Sequence, residues 1–106
     1  MAVNRGDVYW AFLDPVLGTE QKGRRPVVVV SPIELNANLD RVIVAPMTTQ
    51  KRGYPTFIPV TLGGKTAYVM LDQIRTLDRK RLKKQIGSLT QHELDEILTK
   101  LRVLFG

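Results

Sequence analysis

Four consecutive valines, Val27 to Val30, constrain this chain more than any other stretch. A β-branched run with no polar alternation suits a strand covered on both faces better than one with a wet side. It is therefore expected at the centre of a small sheet. Pro26 opens such a strand but is excluded from its interior, and it biases Arg25 toward an extended backbone. Arg25 is thereby held at the rim of the core, with its guanidinium free to point into whatever cleft the preceding loop covers. That loop, Glu20-Gln21-Lys22-Gly23-Arg24, is charged, and Gly23 lets it turn with positive φ. Glu20 and Arg25 are close enough in sequence to meet across it. The same residues also suit a solvated turn with a surface ion pair of little worth, and the stretch alone does not separate the two readings.

The 106 residues suffice for one hydrophobic core, so residues 1–106 are expected to form a single domain that gains burial by pairing with a second copy. Sixteen Lys and Arg against ten Asp and Glu give a net charge of +6, which suits a polyanion or an acidic protein as partner. The chain has no cysteine, which excludes disulfides and thiolate metal sites and fits a reducing cytoplasm. It also has neither a signal-peptide pattern nor an apolar run of about 18 residues, so a soluble cytoplasmic protein with no membrane partner is expected.

Five strands are expected. The first covers Val8 to Leu13 and is stopped by Asp14-Pro15; residues 15–25 then form a long connection, a candidate lid, into the valine strand. After Ser31-Pro32, residues 33–39 suit one or two helical turns. The third strand runs from Arg41 to Pro46, ended by the proline. The fourth, Phe57 to Leu62, carries an edge or bulge signal at Pro59, and Gly63-Gly64 turns the chain into the fifth, Thr66 to Leu71.

Between these elements lie three polar stretches. Residues 47–55 combine Thr48, Thr49, Gln50, two cations, Tyr54 and a turn, a mixture suited to phosphate and base contacts in single-stranded nucleic acid, or to a hairpin tip with self-bonded threonines. Asp72, Gln73, Arg75 and Thr76 follow the fifth strand, where scaffolds present binding residues. Asp78 is expected to cap a short helix with a basic face of Arg79, Lys80, Arg81, Lys83 and Lys84, ended by Gly87. Such a run is read first as a solvated face and second as an RNA groove.

The C-terminus gives the clearest local pattern. Thr90-Gln-His-Glu93 is a capping box, and Leu94, Ile97, Leu98, Leu101 and Leu104 recur at helical spacing, so one face of this helix packs on the sheet. The only histidine, His92, sits in its first turn without a second one to share a metal. A small, bent antiparallel sheet or partly open barrel with a closing helix follows from these elements.

Five motifs occur in order: Arg5-Gly6-Asp7-Val8-Tyr9-Trp10; Asp14-Pro15; Gly18-x-Glu20-Gln21-x-Gly23-x-Arg25-Pro26; Pro46-x-Thr48-Thr49; and Asp72-Gln73-Ile74-Arg75-Thr76. Together they resemble the MazF/PemK family of toxin endoribonucleases, in register from about residue 4 to the C-terminus, with the closer likeness to MazF. The resemblance implies a mainly β fold with α, a small SH3-like antiparallel barrel of the CcdB/Kid/MazF type with a C-terminal amphipathic helix. It also implies a homodimer that cleaves single-stranded RNA at short sequences without metal or other cofactor. An acidic, MazE-like antitoxin would hold it inactive.

Carried over residue by residue, the family's catalytic pair falls on Arg25 and Thr48, and its implicated glutamate on Glu20, as base or as the group that orients Arg25. RNA contacts are expected from Gln21, Lys22 and Arg24, from Thr49, Gln50 and Lys51, and from Asp72, Gln73 and Arg75. The PemK/Kid branch uses an Arg-x-Asp at the end of the fifth strand; Asp72 matches its aspartate, but Met70 stands where its arginine would be. Two rivals accompany this reading. One is a gyrase-inhibiting toxin of the same fold, against which the Glu-Gln-x-Gly-x-Arg-Pro loop speaks; the other is an RNA-binding module without catalysis.

Overall fold

The computed structural model describes residues 2–13 and 24–106. Its strands are β1 (Asp7–Phe12), β2 (Arg24–Val29), β3 (Arg41–Thr48), β4 (Phe57–Leu62), β5 (Lys65–Met70), β6 (Arg75–Asp78) and β7 (Leu82–Ser88). Helix α1 (Ile33–Asn38) follows β2, and helix α2 (Gln91–Phe105) closes the chain. The strands form one curled antiparallel sheet in the order β4-β5-β3-β2-β1-β7, with β6 also on β3.

The valine run lies where its composition demands. Val28 and Val30 pack into a cluster with Val8, Met47, Val69 and Ile97 inside the curl. Val27 and Val29 pack on the opposite face with Tyr9, Val42, Val44 and Leu77. The four valines are between 0% and 6% exposed, so β2 is covered on both faces.

Strand β3 outruns its expected end. Pro46 does not terminate it; β3 pairs with β6 from Arg41 to Val44 and with β5 at Met47 and Thr48, and Pro46 falls in the changeover. A residue without an N–H costs no ladder bond where the outer neighbour is being exchanged. The consequence is that Thr48 belongs to a paired strand and not to a loop.

The basic stretch also differs from expectation. Asp78 does cap a turn, its Oδ1 accepting from the Lys80 N–H at 2.9 Å, but that 3-10 turn ends at Arg81. Residues 82–88 then form β7 on β1, with register shifts along β1 between Val8 and Ala11. The open edge of β1 supplies ladder bonds that a Lys- and Gln-rich segment cannot match as a solvated helix, so pairing overrides local propensity. Arg79 is structural, donating to the carbonyls of Asn36 and Leu39. Strand β6 was not anticipated, because Arg75-Thr-Leu-Asp buries only Leu77 and gives little apolar signal.

Glu93 joins helix to barrel. Its Oε1 accepts from the Thr90 N–H at 2.9 Å, completing the capping box, while Oε2 accepts from the Thr61 N–H on β4 at 2.8 Å. Burial alone would raise this carboxyl's pKa, but those bonds, one from the Thr90 hydroxyl and nearby His92 hold it below its ordinary value. A Cβ on Gly87 of β7 would come within 3.1 Å of the Leu62 side chain of β4, so the two end strands of the sheet approach closely there. Leu94 and Ile97 of α2 are buried and Leu98 and Leu101 half-buried, whereas Leu104 is exposed.

Candidate active site

Arg25 and Thr48 meet through strand register. The pairing of β2 with β3 sets Val27 opposite Pro46; continued by two residues beyond the last paired position, that register leads to Arg25 and Thr48, which line the same cavity. On its other side Arg25 is paired with Ala11 of β1, and its Nη1 donates to the Met47 carbonyl at 3.2 Å. A side chain at the rim of a buried strand is thus aimed by a bond to its neighbour. Thr48 Oγ1 accepts from the Gln50 N–H at 3.2 Å. The acceptor side of this hydroxyl is engaged, which leaves its proton for a ligand.

A cavity of about 630 Å³ opens beside this pair. Arg25, Arg52 and Arg75 put three guanidinium groups on its wall, and among the described residues no carboxylate lines it. Such a site favours an anion with several acceptor oxygens, and guanidinium groups match phosphate with paired donors. Gln50 and Gln73 add amides; the Gln50 Oε1 accepts from Arg52 at 2.7 Å, which orients that side chain. Tyr54 and Phe57 form an aromatic step, ring centroids 5.1 Å apart and planes perpendicular. A second groove of about 410 Å³ lies on the other side of Arg25 and Thr48, where Arg24 sits 4.7 Å over the Trp10 ring, with Thr49 and Lys65 nearby.

Of the residues named from sequence, the main cavity brings together Arg25, Thr48, Gln50, Gln73 and Arg75, and the second groove takes Arg24 and Thr49. Lys51 is exposed and lines neither. Asp72 lines neither as well; its Oδ1 accepts from the Thr56 hydroxyl at 3.1 Å, and the Leu71 N–H donates to the Thr56 carbonyl, so Thr56 pins the 3-10 turn (Leu71–Gln73) that precedes Arg75. Met70, standing where the PemK/Kid branch has arginine, lines the cavity as an apolar wall. Glu20, Gln21 and Lys22 lie outside the described residues, as does the lid expected over residues 15–25 except for Arg24 and Arg25, which belong to β2. Sequence reasoning did not single out Arg52, Tyr54 or Phe57 as site residues. The polar stretch 47–55 held the signal for the first two, whereas Phe57 read only as a strand residue. Among the described residues no group of three or more His, Cys, Asp or Glu is clustered to hold a metal ion.

Residues 4–105 match the family described as PemK-like, MazF-like toxin of type II toxin–antitoxin system. The fold superposes on the crystal structure of MazF from Deinococcus radiodurans with a TM-score of 0.83 and 31% identity, over 100% of this chain and 98% of that one. An endoribonuclease from Mycobacterial species matches with a TM-score of 0.80 and 29% identity, over 100% and 93% of the two chains. An endoribonuclease in complex with its cognate antitoxin, also from Mycobacterial species, matches at 0.79 and 29%, over 99% and 94%. With nearly its whole length matched by the family and its fold shared with these toxins, this chain belongs to the PemK/MazF family of type II toxin–antitoxin toxins.

Proposed function

We propose that this toxin is a metal-independent endoribonuclease that cleaves single-stranded RNA at a short sequence and so blocks translation. The observation that carries the reading is the Arg25–Thr48 pair on the wall of a cavity lined by three arginines. In this reaction the RNA 2′-oxygen attacks the adjacent phosphorus, the 2′-O–P bond forms, and the P–O5′ bond breaks. The 2′ proton passes to a base and the departing 5′ oxygen takes a proton. Arg25 neutralises the charge that builds on the phosphorane oxygens, and Thr48 donates a further hydrogen bond to them. Glu20 acts as the base or orients Arg25. Gln21, Lys22, Arg24, Thr49, Gln50, Lys51, Asp72, Gln73 and Arg75 form the RNA-binding set, with Arg24, Thr49, Gln50, Gln73 and Arg75 supported by their positions on the two grooves.

The partner is an acidic antitoxin whose chain occupies the cationic cleft, so that inhibition competes with RNA; the net charge of +6 supports this. The active form is a homodimer in the cytoplasm, supported at one end by Val103 and Phe105 of α2, each 72% exposed. Incubation of the purified protein with a long unstructured RNA in EDTA is the test. Cleavage to 2′,3′-cyclic phosphate and 5′-hydroxyl ends is expected. A 5′-phosphate product points to an activated water and removes the roles given to Arg25 and Thr48; no cleavage leaves a binding module or a gyrase inhibitor.

A further inference from the structure

Tyr54 stands apart from the rest of the cavity wall. It is 55% exposed, a large aromatic surface left in water beside three cations. Its backbone is nonetheless fixed from both sides. Gly53 turns the chain with φ of +71°, in space open enough that only the backbone conformation requires glycine. Pro55 restricts Tyr54 itself to extended conformations, and the Phe57 N–H closes the turn on the Tyr54 carbonyl at 3.0 Å. The ring is fixed as well, by the perpendicular contact with Phe57. In a perpendicular pair one ring meets the other edge-on, so each ring keeps at least one face uncovered by its partner. Phe57 is half-buried at the start of β4 and anchors the arrangement to the sheet.

A rigid, exposed aromatic face beside a cationic cavity matches what single-stranded nucleic acid requires: one group for the backbone and a plate for an unstacked base. We infer that Tyr54, braced by Phe57, stacks on one base adjacent to the cleaved phosphate and thereby sets which phosphodiester reaches Arg25 and Thr48. This assignment rests on the proposed RNA substrate and names one of its binding residues. Tyr54 is a positioning residue; it acts through the base and touches no reacting atom. The neighbouring Gln50 and Gln73 amides line the same cavity and are the groups within it suited to read the edge of that base.

The test uses the full-length toxin and a short RNA made uncleavable by a 2′-deoxy sugar at the cut, with 2-aminopurine placed at one position after another. Stacking quenches its fluorescence at a single position in the wild type. Tyr54→Ala is expected to abolish that quenching and to weaken binding roughly 5- to 150-fold, while Tyr54→Phe retains both because the ring face remains. On an RNA abasic at the same position, wild type and Tyr54→Ala are expected to bind alike. Quenching that survives in Tyr54→Ala, or an equal loss on the intact and abasic RNAs, overturns the assignment, as does failure to bind any single-stranded RNA. These readouts need no cleavage. A toxin that cuts RNA in EDTA but shows no Tyr54-dependent stacking refutes this inference alone; one that stacks a base without cutting refutes only the nuclease reading.

Discussion

Arg25→Ala carries the largest expected effect on rate. Nη1 of Arg25 is engaged with the Met47 carbonyl at 3.2 Å, which directs the rest of the guanidinium toward the cavity it shares with Thr48. Removing one preorganised donor to a developing oxyanion costs about 2.7–4 kcal/mol, or roughly 10²- to 10³-fold in kcat. Arg25 supplies paired donors and a full charge, so the loss is expected at the upper end of that range. The cost to stability is separate and small. The side chain is exposed and gives up a single part-buried bond to the Met47 carbonyl, so about 1 kcal/mol is lost, roughly 4–8 °C in Tm. Arg25→Lys is expected to bind RNA yet recover little rate, since a point charge cannot hold two phosphate oxygens in one plane. Single-turnover cleavage of a fluorescent RNA at saturating toxin, with a parallel thermal melt, measures both quantities. A folded Arg25→Ala variant cutting within about tenfold of the wild-type rate refutes the role assigned to the guanidinium.

Thr48→Ser is expected to keep most of the rate and Thr48→Ala to lose less than Arg25→Ala, at most about 10²-fold; equal losses in the two Thr48 variants, in the same assay, would mean that the hydroxyl is not the working group. Glu93 has a folded-state pKa below its ordinary value, so its contribution is fully present above the unfolded pKa and is lost as pH falls through the folded one. Glu93→Gln should therefore melt below wild type at neutral pH, by about 1 kcal/mol, with the gap closing in acid; parallel melting curves across that range would assign the acid sensitivity to other carboxylates. Tyr9 is fully buried with no hydrogen-bond partner for its hydroxyl among the described residues, and burial, with Asp7 nearby, pushes its pKa up. Tyr9→Phe removes an unsatisfied group worth about 1–3 kcal/mol and should raise Tm by several degrees; a lower Tm would reveal a partner, such as a buried water.

The parts legible in the sequence are those where local pattern and tertiary environment agree. The valine run, the Thr90–Glu93 capping box and the apolar spacing through Ile97 each dictate one environment, and each is found there. What misled was punctuation. Pro46 reads as a strand end, yet β3 continues because its outer partner changes at that residue. Residues 82–86 read as helix from the Asp78 cap and the basic run, yet the unpaired edge of β1 claims them. Neither fact is local, so no window of sequence holds it. Phe57 was invisible as a site residue for a similar reason: alternation in β4 explains an aromatic there without reference to the loop that folds over it.

The division of labour in the cleft follows from how each residue is held. Arg25 and Thr48 sit on strands whose register is fixed by core residues on both faces of β2. Because side chains alternate with period two, a slip of one residue would turn Thr48 away from Arg25 and exchange the side chains fitted into the two core clusters at once. The backbone positions of Arg25 and Thr48 are therefore as stable as the core itself. Gln50, Arg52 and Tyr54 instead follow the end of β3, on a turn set by Gly53 and Pro55 and braced through Phe57. In the proposed RNA complex, substitutions there are expected to alter which groups meet the bases without disturbing any strand pair. In the proposed reaction, side chains on this turn can change which RNA sequence is read while Arg25 keeps its phosphate chemistry; the Gln50 N–H bond to Thr48 Oγ1 is where the two meet.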